Sequence, residues 1–260
     1  MKKMITLLLA VLLLCSCLAA CGTEKEESDL AYIQEKGKLI VGITDYAPMD
    51  YKDENGEWTG FDAELSRLFA EELGVECEFF VLADWGKKFY ELETKNIDVI
   101  WNGMTITDEV KLNTNCSDPY VVNAQVLVMK ADVVGNYADT NALTGLSFAV
   151  ENGSAGQAAL DALGIQDYVT LQDQAAALME VAAGTSDACV IDITMAYAMT
   201  GEGTSYADLG IGFSLTSEEY GVGFRKSSDV TEKFNAFMDK MLSDGTLDAL
   251  AEKYSLTLVK

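Results

Sequence analysis

The sequence contains no histidine. That removes the side chain that most often serves as general base near neutral pH, the commonest zinc ligand and most nucleophile–base pairs. Arginine is almost missing too: Arg67 and Arg225 are the two in 260 residues. A site that grips two carboxylates or a phosphate with guanidinium forks is therefore disfavoured. Basic residues as a whole are scarce, with 18 Lys and Arg against 42 Asp and Glu and a formal charge of −24. Nucleic acid needs Lys and Arg against its phosphates, so this balance argues against it as a partner. It argues equally against electrostatic docking on anionic lipid. The simplest meaning of the acid excess is a highly soluble surface. No nucleotide-binding motif, low-complexity block or internal repeat is present.

The hydrophobic fraction, 49%, is that of an ordinary globular protein. Met1-Lys2-Lys3 gives a positive start, and residues 4–20 are uncharged, mostly apolar and Leu-rich. This is the pattern of an export signal. It ends in Leu18-Ala19-Ala20-Cys21-Gly22, which resembles a bacterial lipobox, where the signal is cut before the cysteine and the cysteine carries the lipid. Residues 1–20 are thus the expected signal peptide and Cys21 the expected lipid anchor. A signal-anchor helix with Cys21 incidental is the alternative, though the apolar run lies near the lower limit for spanning a bilayer. Cleavage removes two lysines and no acid, taking the formal charge from −24 to −26. Residues 21–28 read as a short tether. Cys15 and Cys17 leave with the signal, so Cys77, Cys116 and Cys189 remain in apolar, strand-like surroundings. Buried free thiols are expected, with one disulfide and a leftover thiol as the alternative.

Beyond the tether, strand-like and helical runs alternate. Residues 38–44 are β-branched and apolar, followed by a turn at Pro48. Phe61, Leu65, Leu68, Phe69 and Leu73 fall on one helical face that Gly74 ends. Strands are expected over 75–82, 98–101, 147–150, 168–171 and 188–191. Helices are expected over 86–94, 155–163 and 173–183, with two more in 229–254. This rhythm predicts α/β architecture with mainly parallel sheets. Ligands of such sheets sit beyond the carboxyl ends of strands, often at helix N-termini. Two loops satisfy both conditions: Asn102-Gly103-Met104-Thr105, before a helix near Thr107, and Glu151-Asn152-Gly153-Ser154. Either alone reads better as an ordinary capped β–α turn; the two together, behind an export signal, shift the reading towards a captured solute.

Stretches spread along the chain carry a family resemblance. They are Leu39-Ile40-Val41-Gly42 with Tyr46-Ala47-Pro48, Thr59-Gly60-Phe61-Asp62, Asn96-Ile97-Asp98-Val99-Ile100 and Asn102-Gly103-Met104-Thr105-Ile106-Thr107. Ser117-Asp118-Pro119-Tyr120, Asp187-Ala188 with Asp192, Tyr220-Gly221-Val222-Gly223-Phe224 and Asp244-Gly245-Thr246-Leu247 follow. In this order they resemble the bacterial solute-binding proteins of polar amino-acid ABC importers, over essentially all of residues 30–260. The resemblance implies a two-lobed periplasmic-binding-protein-like fold. Each lobe would be a mainly parallel sheet flanked by helices, joined by crossover strands at 124–130 and 221–225. Lobe one would take 29–126 plus 222–260, and lobe two 127–221. It also implies a monomer that needs no cofactor, closes about a hinge and serves separate permease and ATPase subunits.

Carried over residue by residue, the resemblance places Tyr46 and Trp85 as aromatic walls against an alkyl or amine group. Asn102, Gly103 and Thr105 would hold the ligand's α-amino and α-carboxylate groups. Ser154 would be the second lobe's hydroxyl, and Asp192 the acid that pairs with an ammonium. Asp192 equally suits a cap for the helix that follows. Glu151 falls where side-chain preference varies, and its acid suggests a positive or donor-rich ligand end. One departure stands out. The family's carboxylate-binding arginine falls on Val110 here, and Lys111 projects about 100° further round the helix. Two routes remain open. The ligand lacks an α-carboxylate, or backbone N–H groups near Thr105 and Ser154 hold it, helped by Lys87 or Lys88. The same fold serves dehydratases of cyclic acids and extracellular sensor lobes. The first needs an acid/base and cationic grips, which the missing histidine and Val110 disfavour. The second needs a further transmembrane and signalling segment.

Overall fold

The computed structural model describes residues 28–260. The expected signal peptide, the Cys21 anchor and the tether up to residue 27 lie outside the described residues.

Each half of the fold is built on β–α–β units. Ser28 accepts a hydrogen bond from Ala31 N and starts α1 (Asp29–Lys36). β1 (Lys38–Ile43) follows, then a small hairpin of β2 (Tyr51–Lys52) and β3 (Trp58–Thr59). α2 (Phe61–Leu73) buries Phe61, Leu65, Phe69 and Leu73, the face that the 3.6-residue period picks out. It ends at Gly74, whose φ of 75° suits the left-handed cap that glycine adopts most readily. β4 (Glu76–Val81) returns parallel to β1. A 3-10 turn (Trp85–Lys87) opens into α3 (Lys88–Glu93). β5 (Val99–Thr105) then pairs parallel with β1 on its other side. α4 (Asp108–Asn113), β6 (Asn115–Cys116) and β7 (Val121–Asn123) complete this stretch.

The second half repeats the plan. β8 (Gln125–Lys130) leads to β9 (Phe148–Glu151), α5 (Ala155–Ala162), β10 (Tyr168–Leu171), α6 (Gln174–Ala183), β11 (Ala188–Asp192) and α7 (Ile193–Met199). β12 (Leu209–Ser214) and β13 (Glu218–Phe224) bring the chain back, and α8 (Val230–Ser243) and α9 (Thr246–Lys253) close it.

Two sheets result, in the orders β4-β1-β5-β13-β6, with β7 also on β13, and β10-β9-β11-β8-β12. Parallel pairing holds among the β–α–β strands of each sheet. The strands next to the connections pair antiparallel. The chain passes between sheets at Ala124 and again over residues 215–217. Ala124 is the first residue of the crossover expected at 124–130, whereas residues 215–217 precede the one expected at 221–225. Gln125 and Val126, expected on lobe one, pair with β11 in the second sheet. Residues 218–221, expected on lobe two, pair with β7 and β5 in the first. The antiparallel ladder between β7 and β13 fixes both departures close together on one sheet.

The first lobe's core centres on Phe69, Trp101 and Phe234, all buried. Trp101 and Phe234 meet edge to face at 4.9 Å, a geometry worth about 0.5–1.5 kcal/mol beyond area burial. Arg225 is a structural brace: its Nε donates to Asp29 at 2.9 Å and its Nη1 to Ile97 O at 2.8 Å. Cys77, Cys116 and Cys189 are free thiols, Cys189 fully buried and the other two partly so. Burial raises the pKa of each, that of Cys116 to about 11.

Candidate ligand-binding cleft

Between the sheets lies a cavity of about 260 Å³, a little below the roughly 300–1,000 Å³ of pockets for drug-sized ligands. Tyr46, Trp85, Asn102, Gly103, Thr105, Glu151, Ser154 and Asp192 all line it. The first five come from the first half of the chain, the last three from the second. Glu151 and Asp192 end β9 and β11, and Ser154 caps α5 by accepting from Gln157 N at 3.2 Å. The cavity thus sits at the carboxyl ends of parallel strands, where open α/β sheets gather ligands.

The loop expected over residues 102–105 is instead the end of β5. Tyr220 and Gly221 of β13 pair with Thr105 and Met104, which supplies the ladder that prolongs the strand. The Asn102 side chain is spent inside the protein. Its Oδ1 accepts from Thr44 N at 2.9 Å and Thr44 Oγ1 at 2.7 Å, and its Nδ2 donates to Asp50 at 2.8 Å. Gly103 N donates to Asp62 at 2.6 Å. Gly103 also has a reason to be glycine: at φ 54°, an added Cβ would stand 2.7 Å from Tyr46 Cε1. The Thr105 hydroxyl donates to Glu218 at 3.0 Å. This strand therefore frames the cavity, and its side chains are already engaged.

Tyr46 is buried, and its hydroxyl bonds to Tyr220 and, at 2.6 Å, to Thr194 of α7. Asp192 occupies the N-cap position of α7, yet its side chain makes no capping bond. Oδ1 accepts from Asn123 and, at 2.9 Å, from Gln125; Oδ2 accepts from Gln174. Burial, then the nearby Glu218, raises its pKa to about 6. Glu151 contrasts with it: the side chain is buried, and Oε1 has no hydrogen-bond partner among the described residues. Burial, followed by the charge of Asp192, pushes its pKa well above the usual carboxylate range.

Lys88 also lines the cavity and is 3% exposed. Its Nζ donates to Gly153 O at 2.9 Å across the cleft and lies 4.9 Å from the centre of the Trp85 ring. Burial lowers its pKa to about 8 against the fields of Glu109, Glu151 and Asp84. Lys87 is exposed and faces Asp84 at 3.9 Å. Val110 lines the cavity from the first turn of α4 and packs with Leu82, Trp85, Leu92 and Met104. Neither arginine borders the cavity.

The family described as bacterial extracellular solute-binding proteins, family 3, matches residues 39–257. The chain belongs to this family. The L-cystine-binding protein TcyJ of Escherichia coli K12 is 30% identical over 88% of this chain and 86% of its own length. The arginine-binding extracellular protein ArtP of Bacillus subtilis is 31% identical over 98% of both. Among solved structures, a mutant of ArgBP from T. maritima aligns with a TM-score of 0.81 at 33% identity, covering 87% of this chain and 98% of that one. The ancestral amino acid-binding protein AncCDT-1, a precursor of cyclohexadienyl dehydratase, aligns at 0.79 and 32% identity, over 87% and 99%.

For a solute-binding protein, closure of the cleft matters as much as its lining. Asn152 Nδ2 donates to Asp84 at 2.8 Å, and Lys88 reaches Gly153 O. These contacts join the loop after β9 to the turn that opens α3, along the lip of the cavity.

Proposed function

We propose that this chain is the substrate-binding lipoprotein of an ABC importer, capturing a small amino acid or related amine that carries a positively charged end. The charge of the closed cavity is the observation that carries this reading. Four carboxyl groups, those of Asp108, Glu109, Glu151 and Asp192, line it, and Lys88 is the one cation among the described residues that does. Such an imbalance in a water-poor site raises the local concentration of cations, and the Tyr46 and Trp85 rings add cation–π attraction. Relatives named for arginine and for lysine, arginine and ornithine are in keeping with it. The ligand would touch Tyr46, Trp85, the main chain at Asn102 and Gly103, Thr105, Glu151, Ser154 and Asp192. The lobes would close about Ala124 and residues 215–217, and the closed monomer would dock on a permease driven by a separate ATPase. Cys21, lipidated after removal of residues 1–20, would tether it to the outer face of the cell membrane. A thermal-shift screen of residues 22–260 against amino acids and their decarboxylated amines tests the binding role. Ligand at about 100 times its dissociation constant adds roughly 2.7 kcal/mol of apparent stability. No shift with any of them would sink the proposal.

An enzymatic reading is favoured only by the neighbour described as a precursor of a dehydratase. Against it stand the missing histidine and a cavity wall with one cation among the described residues. Turnover of a cyclic acid by the purified protein would reverse this preference.

A further inference from the structure

We propose that Lys88 replaces the missing arginine as the anchor for the ligand's carboxylate, and that Glu151, across the same cavity, receives its ammonium. The proposal rests on the solute-binding reading and names the residues that sort one charge of the solute from the other.

The anion has few places to go. Val110 belongs to an apolar cluster, and Arg225 is consumed by Asp29 and backbone carbonyls. Arg67 donates to Trp58 O and Ala63 O on the outer side of α2. Lys88 is the one cation that lines the cavity among the described residues. Its ammonium has three donors. One goes to Gly153 O at 2.9 Å and a weaker one to Trp85 O at 3.4 Å. Both acceptors are neutral carbonyls, so the charge has no counterion in contact with it and one N–H remains. A buried charge in that position is costly unless an anion meets it.

The cation has a matching place. Asp192 is largely satisfied by Asn123, Gln125 and Gln174, whereas Glu151 is 3% exposed with Oε1 unpartnered. Lys88 and Glu151 feel each other's charge but share no hydrogen bond. Lys88 and Glu151, buried in one cavity and held apart, are complementary to a zwitterion, because an arriving ammonium draws the Glu151 carboxyl into its ionised form while Lys88 meets the carboxylate. A ligand with an ammonium alone would satisfy Glu151 and leave Lys88 repelling it. This favours a backbone-and-lysine grip on a carboxylate over a ligand that has none.

Calorimetric titration of residues 22–260 tests the assignment. The probes are L-arginine, L-lysine, L-ornithine, L-glutamine and L-cystine, with agmatine, cadaverine and putrescine as carboxyl-free partners. Wild type should bind at least one amino acid and discriminate against its amine. Lys88→Met should weaken the amino acid on the order of 30- to 3,000-fold and leave or improve the amine, so that discrimination collapses. Glu151→Gln should weaken both members of a pair. A melting temperature for each variant establishes that it folds, and Lys88→Leu provides a second apolar replacement. Unchanged amino-acid affinity in a folded Lys88→Met protein overturns the proposal and leaves the importer reading intact. Wild type that binds amines in preference to amino acids does the same. Binding of no probe overturns both.

Discussion

Gly153 and Gly86 meet backbone to backbone: a Cβ built on Gly153 would stand 2.6 Å from Gly86 Cα. One glycine follows β9 in the second lobe and the other lies in the turn before α3 in the first, so the contact is part of the closed lip. Gly153 also has φ 70°, a region that side chains disfavour. Gly153→Ala should therefore hold the cleft ajar while each lobe stays folded. Small-angle scattering with saturating ligand should show a more open envelope than wild type, with ligand affinity down at least tenfold. A variant that closes and binds as wild type would show that the lip is not a closing contact.

Asn102 provides a different kind of test. Its amide ties the end of β1 to β5 through Thr44, and it donates to Asp50, whose other oxygen has no partner. Asn102→Ala removes the donor from a buried carboxyl, a defect that costs about 1–3 kcal/mol per unsatisfied group. Chemical denaturation should register that loss in ligand-free protein. Ligand affinity should fall too, because Gly103 shifts with its neighbour. A loss of affinity without loss of stability would instead make the Asn102 side chain a direct ligand contact.

Much of this arrangement is legible in the sequence, and the parts that are not share a cause. The helix of α2 follows from apolar spacing and Gly74, and local order alone carries that signal. Eight of the residues that line the cavity, Tyr46, Trp85, Asn102, Gly103, Thr105, Glu151, Ser154 and Asp192, stand out in the sequence by loops after strands and by the family resemblance. The strand character of residues 102–105 is not legible locally, because Asn, Gly and Thr read as a turn. The partner that makes them a strand, β13, lies more than a hundred residues away. Sequence alone names Lys87 and Lys88 together as possible helpers for a carboxylate and does not choose between them. The burial of Lys88 depends on Gly153, from the other lobe, although its position three residues after Trp85 places it on the same helical face. The amides that hold Asp192 come from three separate elements, and no local pattern joins them.

Acid titration gives a prediction with a definite sign. Burial raises Asp192 to about 6 and Asp62 to about 7, and pushes Glu151 well above its usual value. The folded state therefore holds more protons than the unfolded chain between about pH 4 and 7, and stability must rise as pH falls through that window. Asp192 alone accounts for about 3 kcal/mol. Lys88 has a lowered value near 8 and acts with the opposite slope only above that pH. Below about pH 4 the trend reverses, because Asp187 and Asp208, lowered by their hydrogen bonds, lose their stabilising charge. Ligand-free protein should melt several degrees higher at pH 5 than at pH 7.5. A melting temperature that falls steadily from pH 7.5 to 5 would mean that these carboxyls are not held in their protonated forms by burial.

Lys88 and Val110 can be exchanged for the arrangement that the family resemblance implies. Val110 lines the cavity from the first turn of α4, and Thr107 caps that turn by accepting from Val110 N at 3.1 Å. An arginine there has a short route from its apolar neighbours into the cleft, where Lys88 now stands. If Lys88 supplies the carboxylate contact, Lys88→Met should lose amino-acid binding and the double variant Lys88→Met/Val110→Arg should recover it to within about tenfold, since a guanidinium offers the same charge with a forked grip. Val110→Arg alone should gain little, because two cations then crowd one carboxylate and each is partly desolvated. Calorimetry on the four proteins closes a thermodynamic cycle, with a coupling term of about 0.5–3 kcal/mol expected for residues that share a partner. Additive effects would place Lys88 and Val110 in separate roles. A double variant no better than Lys88→Met would mean that α4 no longer presents its first turn to the ligand at all.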